Sequence, residues 1–155
     1  MNDPARPGLR VVRLSEVYLL EVMVMELESY ADPWSEGMFR QEVDNASSHF
    51  YVLLDGDHLV GYGGFWLLID EAHITKLTVS TSLRRQGLGA SLLQYLLRRA
   101  VWLGAATVRL EVRESNLPAR RLYETAGFKA VGVRKGYYAR TNENAIVMLK
   151  NLNEH

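Results

Sequence analysis

The chain has 155 residues, 48% of them hydrophobic, which suffices for one globular domain with a core of its own. Cysteine is absent, which excludes disulfides, thiolate metal sites and cysteine nucleophiles together. The 18 basic and 18 acidic side chains cancel, and no basic run with interleaved aromatics supports a nucleic-acid role.

Met1 to Gly8, with Pro4, Pro7 and Gly8, is expected to be a flexible tail and lacks the apolar stretch of a secretory signal. Leu9 to Arg13 alternates as a first strand. Ser15 can cap a helix whose apolar positions Val17, Leu20, Val24 and Leu27 fall three to four apart. Asp32-Pro33 breaks it, and Ser35 can cap a shorter helix to about Val43, with Met38 and Phe39 inward. Phe50 to Leu54 reads as a strand ending at the hairpin signal Asp55-Gly56-Asp57. Leu59 to Leu68 and Ala72 to Val79 complete a three-stranded meander. Strict alternation slips between Ile74 and Leu77, which a β-bulge would absorb.

Leu88, Leu92, Leu93, Leu96, Leu97, Ala100 and Val101 form a helical stripe, and Gly104 stands where a C-cap belongs. Val108 to Arg113 alternates, with Arg109, Glu111 and Arg113 on one face. Asn116, ahead of Pro118, can open a short helix ending at Gly127. Lys129 to about Lys135 and Ala145 to Lys150 are the last strands. The order β-α-α-β-β-β-α-β-α-β-β predicts a mixed α/β domain around one sheet. No segment approaches the ~18 apolar residues of a membrane span, and the expectation is a cytoplasmic protein.

Between the strand ending at Val79 and the third helix lies Arg84-Arg85-Gln86-Gly87-Leu88-Gly89-Ala90. A helix start presents N–H groups without intrahelical partners, and glycine lets a phosphate approach them. Two arginines add charge. The loop suits a diphosphate, although a turn that merely opens a helix has the same outline. A Walker loop is excluded by the missing Gly-Lys-Ser/Thr, and a Rossmann fingerprint by Leu92 where a third glycine would stand.

Arg/Gln-x-x-Gly-x-Gly/Ala after the fourth strand resembles the acetyl-CoA loop of the GNAT superfamily of N-acetyltransferases, and the likeness covers nearly the whole chain. Several segments are similar to its ribosomal-protein-alanine N-acetyltransferases, the RimI type. They include Pro33-Trp34-Ser35-Glu36, Asp70-Glu71-Ala72, Arg85-Gln86-Gly87-Leu88-Gly89, Leu110-Glu111-Val112-Arg113, Asn116, Leu122-Tyr123-Glu124, Gly127-Phe128, Tyr137-Tyr138 and Asn144 to Met148. The resemblance implies one acetyltransferase domain over residues 9–152, with a mostly antiparallel sheet of about seven strands flanked by four helices. It implies that Leu77, Thr78 and Val79 lend backbone groups to a pantetheine arm. It also implies that Arg84, Arg85, Gln86, Gly87, Leu88, Gly89 and Ala90 hold the pyrophosphate, and that Asn116 meets the cofactor near its thioester.

An α-amine with pKa near ~8 must lose a proton before it attacks a thioester, so a carboxylate is needed near the acceptor. Glu111, on a strand between Leu110 and Val112, is a candidate base. The alternative is an ion pair with a neighbouring arginine. The resemblance also points to Glu111 as the base and to Tyr123 as the acid that protonates the leaving thiolate. Packing beside Leu122 and Phe128 is the alternative for Tyr123. A backbone N–H near Val79, freed by the bulge, is expected to meet the oxyanion. Without cysteine there is no acyl-cysteine intermediate, and direct attack in a ternary complex follows. His49, His58, His73 and His155 form no metal pattern, and His73 is taken as structural.

By resemblance, Trp34, Tyr137 and Tyr138 wall an acceptor peptide, with no nucleic-acid or membrane partner. Charge is split along the chain. Residues 1–83 hold 5 basic and 13 acidic side chains, and residues 84–140 hold 12 basic and 3 acidic. This would let Asp32, Glu36, Asp70 and Glu71 face a basic protein N-terminus, such as that of a ribosomal protein, while the basic half faces phosphates. Ala139 departs from the family, where proline is frequent, in a segment that bears on acceptor choice. Acetylation of a lysine side chain or small amine, and a non-catalytic acetyl-CoA-binding module, remain as alternatives.

Overall fold

Phe50 to Leu54 is apolar at successive positions, so neighbouring side chains point to opposite faces and both faces of the central sheet must be covered. The computed structural model describes Asn2–Asp3 and Arg6–Asn153. Its strands are β1 Asn2–Asp3, β2 Arg6–Arg13, β3 Ser48–Asp55, β4 His58–Leu68, β5 Glu71–Val79, β6 Thr107–Arg113, β7 Lys129–Tyr138 and β8 Glu143–Asn151. The helices are α1 Leu19–Ser29, α2 Glu36–Asp44, α3 Leu88–Trp102 and α4 Leu117–Thr125. One sheet runs in the order β1-β2-β3-β4-β5-β6-β8-β7. Seven strands are long, β1 has two residues, and among the described residues only β5 and β6 pair in parallel.

The strand alternation sorts two cores. On β3, Phe50, Val52 and Leu54 join Leu19, Val22, Met25 and Phe39 under α1 and α2. On the other face Tyr51 and Phe65 join Leu93, Leu96, Leu97, Leu110 and Tyr123 under α3 and α4. Each large apolar side chain fully buried this way contributes about 1.5–3 kcal/mol. Gly64 on β4 is required by crowding, since a Cβ there would stand 2.6 Å from the His49 carbonyl oxygen. Ser35 Oγ accepts from Met38 N at 3.2 Å and caps α2, as the sequence predicts.

Four expectations are corrected. The chain enters the sheet before Leu9, since Asn2–Asp3 and the start of β2 at Arg6 lie in the stretch expected as a tail. Met1, Pro4 and Ala5 of that stretch fall outside the described residues. Ser15 makes no side-chain cap, for a short 3-10 turn at Glu16–Tyr18 precedes α1. The apolar stripe Val17, Leu20, Val24 and Leu27 faces outward, with Val17 81% and Leu20 77% exposed. The buried stripe is Leu19, Val22, Met25 and Glu26, because α1 is apolar on two sides and only this rotation brings Glu26 to its partners. Met38 and Val101 are likewise exposed, while Phe39 is fully buried.

Candidate active site

The site begins where the sheet opens. β5 and β6 pair only from Glu71–Thr107 to His73–Arg109, and then they part. β4 follows β5 as far as Val79, and β8 follows β6 throughout. The opposed edges of residues 74–79 and 110–113 therefore bound a slot without a ladder between them. An arm carrying amides can bind such an edge as another strand would. The slip anticipated in β5 is a real bulge. Phe65 pairs with Ile74 and Gly64 with Lys76, leaving Thr75 extra. It lies four residues from Val79, which stays in register with Gly61.

The glycine loop sits at the mouth of this slot. Arg85 has φ 66° and Gly87 φ 80°, both left-handed. For a non-glycine residue such a conformation costs about 1–2 kcal/mol. The first intrahelical bond of α3 runs from Ser91 N to Gly87 O, so Leu88, Gly89 and Ala90 present N–H groups ahead of it. Left-handed turns leading into a helix start form the concavity that holds oxyanions. The donor chemistry therefore fits a pyrophosphate. Burial raises the Tyr30 hydroxyl's pKa, and Arg84 lies close enough to offset a small part of this, which brings the loop within electrostatic reach of Tyr30. Asn116 caps α4, its Oδ1 accepting from Ala119 N at 3.3 Å.

Glu111 projects from β6 just past the last β5–β6 pair. One carboxylate oxygen lies 2.7 Å from Arg109 Nη1 and 3.6 Å from Arg134 Nη1, and the other 2.6 Å from His73 Nε2. Its side chain is only 4% exposed. Burial pushes its carboxyl pKa up, but the hydrogen bond and charge of His73, then Arg109 and Arg134, outweigh this and hold it below the ordinary value. The ion-pair alternative raised by the sequence is thus real, and Glu111 is an anion in a cationic nest. Arg109 Nε also binds Glu71 Oε1 at 2.9 Å.

Tyr123 is buried on α4 with its ring 5.8 Å from Phe128. Burial raises its phenol pKa, and Tyr30 and Tyr138 raise it further, which places both within electrostatic reach of Tyr123. Tyr138 is pushed up to about 12 by burial, partly offset by Arg113, with Glu111 among the groups raising it. Both phenols stay protonated at neutral pH and can donate. The Arg113 guanidinium covers the Tyr138 ring at 3.9 Å, and Tyr137 stands edge-on to it at 5.0 Å.

Glu26 supports the opposite wall. With no exposed surface, it accepts from Tyr62 OH at 2.7 Å, Lys76 Nζ at 2.6 Å and Trp34 N at 2.8 Å. Lys76 Nζ lies over the rings of Tyr30 at 4.1 Å and Trp34 at 4.6 Å. The Tyr30 hydroxyl is 2.6 Å from Thr78 Oγ1. Trp34 also packs on Phe39 and Phe50, so its ring lies against the core.

His73, Tyr30, Glu26 and Lys76 were not candidates in the sequence. Only the position of His73 inside β5 hinted at a role. The parallel register that lets it reach Glu111 follows from topology. Three of the four carboxylates expected to face a basic partner are compensated: Asp32 by Arg140, Glu36 by Arg40 and Glu71 by Arg109. Among the described residues no three His, Asp or Glu side chains gather as a metal set.

A sheet opened at a parallel pair, with a loop whose N–H groups suit an oxyanion at its mouth and a carboxylate and phenols at the opening, fits an acyltransferase that draws on a coenzyme thioester. The chain belongs to the acetyltransferase (GNAT) family, whose model matches residues 19–128. It is an acetyl-CoA-dependent N-acetyltransferase. It is 35% identical over 126 residues to the [ribosomal protein bS18]-alanine N-acetyltransferase of Escherichia coli strain K12, covering 80% of this chain and 84% of that one. The Salmonella typhimurium enzyme of the same name is 33% identical over 137 residues, covering 87% and 92%. The crystal structure of the ribosomal-protein-S18-alanine N-acetyltransferase from Escherichia coli superposes with a TM-score of 0.87 at 30% identity, covering 95% and 96%.

Proposed function

We propose that the chain, through a single catalytic domain, acetylates the N-terminal α-amine of a protein, the N-terminal alanine of ribosomal protein bS18 first of all. The observation that carries this is the match over nearly full length to enzymes named for that acceptor. As an enzyme of ribosomal protein it belongs in the cytoplasm. Acetyl-CoA supplies an acetyl group activated as a thioester.

The residues divide the work as follows. Backbone groups of Leu77, Thr78 and Val79 hold the pantetheine arm. Arg84, Arg85 and the N–H groups from Gln86 to Ala90 hold the pyrophosphate, and Asn116 lies toward the thioester end. Thr78 is suited to a backbone role, because its hydroxyl is already engaged by Tyr30. A backbone N–H near Val79 meets the oxyanion, although the bulge at Thr75 is not what frees it. Trp34, Tyr137 and Tyr138 wall the acceptor. Glu111 removes the proton from the acceptor ammonium, and the amine attacks directly. Tyr123, kept protonated by its raised pKa, gives its proton to the departing sulfur. In Glu111→Gln, kcat falls by about 10²–10³ while acetyl-CoA affinity by calorimetry stays at the wild-type value. Turnover retained in that variant would remove Glu111 from the chemistry.

A further inference from the structure

Of the three groups bound to Glu111, two are guanidinia, which neither give up nor take protons at any pH the protein meets. The third is the imidazole of His73, 2.6 Å from Oε2. We propose that His73 completes the base, receiving from Glu111 the proton that leaves the acceptor ammonium and releasing it to solvent. This rests on Glu111 acting as the base.

The position of His73 suits a conduit. It is the last residue of β5 that pairs with β6, so it stands at the closed end of the slot, directly behind Glu111. Its side chain is 23% exposed, against 4% for Glu111, so the imidazole rather than the carboxylate reaches water. Around it, β6 presents Glu111 and Arg109, and β7 presents Arg134. Its own strand presents Glu71, engaged by Arg109. On β4 its register partner is Trp66, whose indole N–H binds Glu42 of α2 at 2.8 Å.

A conduit suits the site because the partners that hold Glu111 anionic, His73 first and then Arg109 and Arg134, also weaken it as a base. Proton transfer is most effective when the base titrates near the working pH, and imidazole is the side chain that ordinarily does so. Two protons leave the acceptor nitrogen in all. The first passes to Glu111, then to His73, then to water. The N–C bond forms and the C–S bond breaks, and the sulfur takes its proton from Tyr123. The second proton leaves the nitrogen by the same Glu111–His73 path, and Tyr123 is reprotonated from solvent. The net yield is amide, thiol and one proton.

The test compares kcat as a function of pH for wild type, His73→Gln, His73→Asn and His73→Ala, with acetyl-CoA binding by calorimetry as the check on folding. The expected result is wild-type acetyl-CoA affinity and a kcat lowered about 10-fold or more at neutral pH. The acid limb should move to lower pH, and added imidazole should restore activity to His73→Ala. A purely structural His73 would lower the rate at every pH without moving the limb or responding to imidazole, and that result overturns the proposal. Glu111→Gln separates the two ideas. Its full activity would remove the base on which the relay depends. An inactive Glu111→Gln beside wild-type-like His73 variants would remove the relay alone.

Discussion

Glu26 shows how much one buried charge can organise. Its carboxylate joins α1, the Trp34 backbone, β4 through Tyr62 and β5 through Lys76. Burial pulls the Lys76 amine pKa down more than Glu26 holds it up, so the pair is retained against a desolvation cost. Removing one partner strands the other. Lys76→Met is expected to lose about 3–5 kcal/mol in urea unfolding, and Glu26→Gln added to it should recover most of that loss. A double variant no more stable than Lys76→Met would show that the pair does not hold the wall.

At the scale of elements, much was legible because one principle dominated each. Strand alternation located β3 to β6, Asn116 and Ser35 announced their helices, and the slip at Ile74–Leu77 announced the bulge at Thr75. The phase of α1 was not legible, since Val17, Leu20, Val24 and Leu27 repeat as regularly as the stripe that is buried. What chose between them is a long-range contact, Glu26 to Lys76. Leu20→Gln should therefore change unfolding free energy by no more than about 0.5 kcal/mol, whereas Val22→Ala should cost more than about 1 kcal/mol. Equal costs would reverse the assigned faces. The loop from Arg84 to Ala90 was legible as a glycine turn opening α3, because its chemistry is local. Arg84→Ala with Arg85→Ala should raise the acetyl-CoA dissociation constant by about 10-fold or more while lowering kcat less. Unchanged affinity would contradict the assignment.

For the whole molecule, the order of elements was readable but the meeting of β5 with β6 was not. Their partial parallel pairing creates the slot, and it brings His73 to Glu111 across 38 positions of sequence. The charge split was also readable, yet Arg140 with Asp32 and Arg109 with Glu71 show the two halves neutralising one another around the slot. We propose that acceptor choice then rests on the shape between Trp34 and Tyr138 and on the α-amine itself. The most direct measurement is mass spectrometry of a peptide that begins with alanine and carries an internal lysine, incubated with acetyl-CoA and the enzyme. One acetyl group on the α-nitrogen is the predicted product, and none should form when that nitrogen is blocked. Acetylation of the lysine, or of neither amine, would contradict the account.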